Sequence, residues 1–154
     1  MTATCQSAGD RSTTVCKNTV AADTIEGYKA ILGLLPGRYA VCRLESGDSP
    51  PTWARGGFVS LTRTPDELSV VCAEESVPAA ARCERGWRCL KVLGPLDFAL
   101  TGVLAALAAP LAKANVSIFA ISTYDTDYLL LPDASLERAV TALTAAGHEV
   151  TSDP

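Results

Sequence analysis

The stretch Trp87-Arg-Cys-Leu-Lys-Val-Leu-Gly-Pro-Leu-Asp-Phe98, then a Leu/Ala run, then Val116-Ser-Ile-Phe-Ala-Ile-Ser-Thr-Tyr-Asp-Thr-Asp127, decides the fold. Trp87 to Leu93 reads as a strand that Gly94-Pro95 ends. Asp97 opens a helix whose buried stripe is Leu100, Val103, Leu104, Leu107 and Leu111, at helical spacing. Thr101, Gly102 and the alanines leave its second face small rather than charged, which suits packing against a partner. Pro110 falls inside the run and marks a kink or the last turn. Asn115 precedes a second strand, Val116 to Ser122, which ends in a dense polar cluster. In a strand–helix–strand unit the turn after the first strand and the polar end of the second come close together. A small-ligand site is expected there.

Working outward toward the C-terminus, Tyr128 to Leu131 returns as a hairpin partner. Ser135 caps a second helix with Leu136, Ala139, Val140 and Leu143 as its buried stripe. Gly147 ends that helix at a position suited to a left-handed residue, and His148 to Thr151 is a short last strand. The order β-α-β-β-α-β is the ferredoxin-like plan, with two helices on one face of an antiparallel sheet.

Toward the N-terminus, Arg38 to Leu44, Phe58 to Arg63 and Leu68 to Ala73 read as strands. Glu45 to Thr52 is a loop that Trp53 packs onto the core. Thr64-Pro-Asp-Glu67 is a turn, and Glu74 to Arg85 a connector with Pro78 and room for a helical turn. Ile25 to Leu35 adds one short element before Pro36-Gly37 breaks it. The first 25 residues, rich in Thr, Ser and Ala, have no apolar period. The expected fold is α+β, a two-layer sandwich. Residues 1–35 form a poorly ordered leader, 36–85 a reduced β-rich half whose first helix is worn down to a loop, and 86–151 the complete βαββαβ unit.

Composition narrows the function. The chain has 154 residues, a formal net charge of −4 and 48% hydrophobic residues, enough to bury a core without a metal or disulfides. A nucleic-acid binder carries a basic stripe; Arg82, Arg85 and Arg88 are diluted by Glu84 and apolar neighbours, so no nucleic-acid partner is expected. Phe98 to Ala112 is too short to span a bilayer and is flanked by Asp97 and Lys113, so no membrane partner is expected. The polar N-terminus has no apolar core of the signal-peptide kind, and a cytoplasmic location follows as the expectation. The six cysteines include no CxxC pair and His148 is the lone imidazole, so neither a metal nor another cofactor is expected. Cys42, Cys72 and Cys89 fall within strands, where a reduced cysteine acts as a small apolar residue; Cys83 and Cys89 are the candidates for a redox pair. No Ser/His/Asp set or phosphate loop is present, so no enzyme is expected.

The segments Gly37-Arg-Tyr-Ala-Val-Cys42, Phe58-Val-Ser-Leu-Thr-Arg-Thr-Pro-Asp-Glu-Leu-Ser-Val-Val-Cys72, Gly86-Trp-Arg-Cys-Leu90, Gly94-Pro-Leu-Asp-Phe98 and Ile121-Ser-Thr-Tyr-Asp-Thr-Asp-Tyr128 resemble the small bacterial proteins built of tandem ACT domains. The module is similar to those of aspartate kinase and of the CASTOR-type arginine sensors. The resemblance covers roughly Pro36 to Val150. It implies a non-catalytic regulatory module that binds an amino acid between ACT units, as a homodimer, with residues 36–85 a reduced ACT-like half. Carried over by position, Gly94 and Asp97 match the first ligand loop, Ser117 and Ile118 the second strand, and Thr123, Tyr124, Thr126 and Asp127 the turn.

The chemistry of such a ligand fits these residue types. Its carboxylate suits a glycine turn and a helix N-terminus, whose free N–H groups face an anion. Its ammonium needs acceptors, for which Asp97, Asp125 and Asp127 are candidates. Tyr124 is placed to close over the side chain. Plainer roles stand beside these. Asp97 can simply cap the helix, Asp125 and Asp127 can be hairpin-turn residues, and Gly94-Pro95 can be structural. The alternative function is a structural or adaptor protein that dimerises or binds a protein partner through the fold without a ligand.

Overall fold

A ten-residue strand, β5 (Cys83–Val92), is the spine of a single eight-stranded sheet. The computed structural model describes residues 28–97 and 100–152. The expected leader falls largely on residues 1–27, outside the described residues. The short element expected within Ile25 to Leu35 is a strand, β1 (Ile31–Leu34), and it lies inside the sheet rather than in a poorly ordered leader.

Along one edge of β5 run two strands in succession. β1 pairs antiparallel with its C-terminal end, Leu32 opposite Val92 and Leu34 opposite Leu90. β2 (Tyr39–Leu44) pairs with its N-terminal half, Tyr39 opposite Trp87 and Cys42 opposite Cys83. Between them Pro36-Gly37 breaks the strand, yet the Leu35 N–H still donates to the Cys89 carbonyl at 2.9 Å, so the ladder bridges the break. The register slips between Tyr39 and Val41, opposite Gly86, whose φ of +79° suits a bulge. β5 thus reaches back to Cys83, four residues before the expected start at Trp87, because β2 continues to pair with it beyond the bulge.

The other edge of β5 pairs with β7 (Asp127–Pro132), which pairs in turn with β6 (Phe119–Ser122). Beyond β2 lie β4 (Leu68–Ala73) and β3 (Ser60–Arg63). The last strand, β8 (Glu149–Thr151), does not meet β5: it lies parallel to β1, which separates the two. The second half therefore keeps the expected β-α-β-β-α-β order, and a strand from before the first half completes its sheet.

Two helices, α1 (Val103–Lys113) and α2 (Leu136–Ala145), cover one face. Under them Leu32, Leu90, Val92, Leu129 and Leu131 pack against Val103, Leu107, Leu111, Ala139 and Leu143. Leu130, between two helix-facing leucines, packs on the opposite face with Cys89, Tyr39 and Phe58. A central strand buried on both faces explains the unbroken leucine run. Phe58 lies just before β3 and stacks on Tyr128 with ring centroids 4.3 Å apart. In the first half a third cluster, Ala40, Cys42, Leu68, Val70 and Cys72, is covered by Val77 and the half-buried Trp53 instead of a helix.

Three helix details depart from the sequence reading. α1 begins at Val103, not at Asp97, because Gly102 adopts a φ of +81° at the N-cap. Leu100 therefore precedes the helix and is 46% exposed, while Leu104 is rotated off the buried stripe and 37% exposed; Ala106 takes its place. Ser135 occupies the N-cap of α2 but makes no capping bond. Asp133–Ser135 already form a 3₁₀ turn, which holds Ser135 in a helical conformation, and its hydroxyl accepts from Arg138 at 2.9 Å instead.

Candidate functional site

The two polar corners meet. The Leu96 N–H donates to the Asp125 carbonyl at 2.8 Å, and the Thr126 hydroxyl donates to the Val92 carbonyl at 2.6 Å. These bonds tie the β6–β7 turn to the segment that leaves β5. The turn itself is closed by Thr123, whose N–H and hydroxyl both donate to the Thr126 carbonyl at 2.8 Å. With Thr123 and Thr126 as the closing pair, Ser122 and Asp127 lie directly opposite each other, and the Ser122 hydroxyl donates to Asp127 Oδ1 at 2.5 Å. That bond orients the Asp127 carboxylate.

Between these segments lies a cleft of about 190 Å³, lined on one side by Leu96, Asp97, Leu100 and Val103 and on the other by Ser122 to Asp127. Of the expected site residues, Asp97, Thr123, Tyr124, Thr126 and Asp127 line it. Gly94, Ser117 and Ile118 do not. Gly94 is exposed, with a φ of +92° that turns the chain out of β5. Ser117 and Ile118 precede β6, whose other end forms the cleft; at ~3.3 Å per residue Ser117 is about five residues too far away. Ile118 packs on the helix-side core.

The side chains differ in what they offer. Tyr124 is 80% exposed at the rim. Thr126 is buried and its hydroxyl is committed to Val92, so it builds the cleft rather than facing into it. Asp97 precedes α1 by six positions, so it is not the residue at the N-cap. Among the described residues no Lys or Arg lines the cleft, and three carboxylates do. Val103, the first residue of α1, forms part of the wall, and Gly102 at the N-cap has no side chain to cap the first turn. Next to the cleft, burial raises the Tyr128 phenol above its usual value, with the Cys89 and Asp125 charges adding to it.

Leu96, Leu100, Val103 and Ser122 are lining residues that the sequence reading did not assign to the site. Ser122 was legible in principle: a turn closed by Thr123 and Thr126 puts it opposite Asp127. The two leucines carried no such signal, because their exposure depends on where Gly102 starts the helix.

A larger cavity of about 700 Å³ lies at Gly37, Arg38, Glu74, Glu75, Val77, Ala79 and Arg85. Three of its charged groups, Arg38, Glu74 and Arg85, are engaged with each other and the backbone. Arg38 pairs with Glu74 at 3.7 Å, Glu74 Oε2 accepts the Gly86 N–H at 2.6 Å, and Arg85 donates to the carbonyls of Glu74, Val77 and Pro78. This is a clasp holding the connector to β5. Among the described residues no helix is long and apolar enough to cross a membrane, and no group of three His, Cys, Asp or Glu is arranged to hold a metal ion.

Comparison with known proteins agrees with this architecture. The family model for the ACT domain matches residues 82–145, and a second model, describing an N-terminal domain, matches residues 37–80. Protein Atu0741 from Agobacterium tumefaciens, a solved structure, is 40% identical, with a TM-score of 0.77 over 80% of this chain and 93% of that one. The cytosolic arginine sensor for mTORC1 subunit 1 from Bos taurus is 31% identical over 104 residues, 60% of this chain but 32% of that protein. The chain thus spans about a third of that relative's length. The regulatory subunit of aspartate kinase from Thermus thermophilus, ligand free, shares the fold at a TM-score of 0.53 and 10% identity, over 75% of this chain and 96% of that one. A sheet built on β5, with helices on one face, and the match over the second half lead to one statement: residues 82–145 of this chain belong to the ACT-domain family.

Proposed function

We propose that this chain is a non-catalytic regulatory module that binds a free α-amino acid in the cleft between Asp97 and the Ser122–Asp127 turn. The observation that carries this reading is the cleft itself, where three carboxylates and the start of a helix share about 190 Å³. That volume lies below the range of drug-sized pockets and suits a small ligand. The ligand's ammonium is received by Asp97, Asp125 and Asp127 through charge-assisted hydrogen bonds. Its carboxylate meets the first-turn N–H groups at Val103. Its side chain lies against Leu96, Leu100 and Val103, with Tyr124 at the rim. Gly94, Ser117 and Ile118 act only by shaping the turn and the strand. A relative named as an arginine sensor, and neighbours that regulate aspartate kinase, support the regulatory role. In this reading residues 36–85 are a reduced ACT-like half, residues 86–151 the ligand-bearing unit, and the protein works as a homodimer in the cytoplasm.

Differential scanning fluorimetry of the full chain against each of the twenty amino acids tests it. A ligand that binds only the folded state raises the melting temperature. A rise with one amino acid or a few, lost in Asp127→Asn, supports the reading. A flat profile at millimolar concentration overturns it.

One feature favours a second reading, a structural or adaptor protein. Among the described residues Phe119–Ser122 pairs only with β7, and it carries no charge, whereas exposed edges are usually blunted by charge or proline. A dimer by light scattering, together with a flat amino-acid profile, selects this reading.

A further inference from the structure

The register of β2 against β5 brings two cysteines face to face. Cys42 lies directly opposite Cys83, and the Arg43 N–H donates to the Arg82 carbonyl of the next pair at 3.0 Å. Hydrogen-bonded and non-bonded pairs alternate along an antiparallel ladder, so Cys42 and Cys83 occupy a non-bonded pair. There the Cα atoms approach to ~4.5 Å and the side chains come closest. That spacing falls inside the roughly 4.4–6.8 Å range a disulfide bridges. The sequence candidate was a different pair. Cys83 and Cys89 lie six residues apart on one strand, about 20 Å at ~3.3 Å per residue, and cannot meet.

The surroundings suit redox chemistry rather than metal binding. Cys42, Cys72 and Cys83 belong to one cluster, all as free thiols, and no metal-holding group of three exists among the described residues. Cys83 is half-buried and lines an open cavity of about 290 Å³ with Arg43, Glu67, Arg82 and Glu84. Cys42, almost fully buried, lies in the wall of the same cavity. Burial pushes the Cys42 thiol up to about 12, and the adjacent Cys83 and Cys72 sulfurs add to this.

We propose that Cys42 and Cys83 are a reversible redox couple whose disulfide staples β2 to β5. The oxidant is a low-mass disulfide such as oxidised glutathione. The Cys83 thiolate, reachable from the cavity, attacks one sulfur of that disulfide. A mixed disulfide forms and one glutathione leaves as its thiolate. Cys42 then gives up its proton to solvent base and attacks the Cys83 sulfur, and the second glutathione leaves. Two protein thiols are oxidised by two electrons, and one glutathione disulfide is reduced to two thiols. The second step is the slow one, because the Cys42 thiolate is scarce. The staple lies at the seam joining β2, β3 and β4 to the rest of the sheet. It is independent of the amino-acid cleft, so each idea can fail alone.

The experiment oxidises the folded full chain, carrying Cys5→Ser and Cys16→Ser, with oxidised glutathione at mildly alkaline pH. Circular dichroism checks the fold, and tryptic mapping follows without reductant. Trypsin puts the two cysteines on separate peptides, Tyr39–Arg43 and Cys83–Arg85. The expected result is a link between those peptides that dithiothreitol removes, that Cys72→Ser and Cys89→Ser retain, and that Cys83→Ser abolishes. Recovery of Cys83 only as the free thiol or the glutathione adduct, or a link from Cys42 to Cys72, overturns the proposal.

Discussion

His148 supplies to α1 the hydrogen bond that Pro110 cannot make. In a regular helix the N–H of residue 110 would donate to the carbonyl of Ala106; proline has none. The His148 Nε2 lies 3.3 Å from that carbonyl, and its Nδ1 accepts the Ala30 N–H at 3.2 Å. Accepting at Nδ1 and donating at Nε2 defines the neutral Nε2–H tautomer. The imidazole, 5% exposed, thereby joins the start of β1, the middle of α1 and the approach to β8. His148→Phe leaves two buried backbone groups without this partner and is expected to cost about 1–3 kcal/mol. In a Pro110→Ala background the restored N–H serves Ala106, so the same substitution costs about 1 kcal/mol less. A double-mutant cycle from urea denaturation reads this coupling.

Gly56 is required by a close approach. Its φ is +130°, and a Cβ there would lie 2.8 Å from the Ala73 Cβ, beside the bond from the Ala73 N–H to the Arg55 carbonyl. Gly56→Ala is expected to destabilise the chain by more than ~1 kcal/mol. Gly57→Ala, where a Cβ would meet nothing within 4 Å, is the control and should stay within ~0.5 kcal/mol. Chemical denaturation of the two variants gives the comparison.

Thr126 holds the cleft together from beneath. Thr126→Val removes the hydroxyl that donates to Val92 at 2.6 Å and leaves a buried carbonyl unpaired, at a cost of about 1–3 kcal/mol. Thr126→Ser keeps the donor and should recover most of that loss. If the cleft binds an amino acid, any melting-temperature rise seen with wild type shrinks in the valine variant and persists in the serine one.

Stability is expected to fall in alkali. Burial raises Cys42 and Cys89 from the ordinary thiol value of 9.0 to about 12. The folded chain therefore keeps protons that the unfolded chain releases. The contribution is fully present below the unfolded value and is lost as pH rises toward the folded one, between 9.0 and about 12. Each thiol costs about 1.4 kcal/mol per pH unit within that window. Tyr39 and Tyr128, also raised by burial, steepen the fall higher up. Urea midpoints measured under reducing conditions on either side of the thiol value should show the slope, and Cys89→Ala should flatten it.

Local pattern alone determined much of this protein. The hairpin return over Leu68–Ala73, the spacing of Val103, Leu107 and Leu111, and the break at Gly147 each report on neighbours a few residues away, and each is in place. So is the meeting of Asp97 with the turn that ends in Asp127, because a strand–helix–strand unit brings those corners together. What only the tertiary structure decided concerns partners distant in sequence. Nothing within Ile31–Leu34 says that it lies between β5 and β8, since a strand's pairing edge is set by the path of the whole chain. The Cys42–Cys83 register depends on a slip beside Gly86, and the role of His148 depends on a carbonyl 42 residues away. Periodicity tells a residue which way to face; the hydrogen-bond partner it then meets is supplied by the fold.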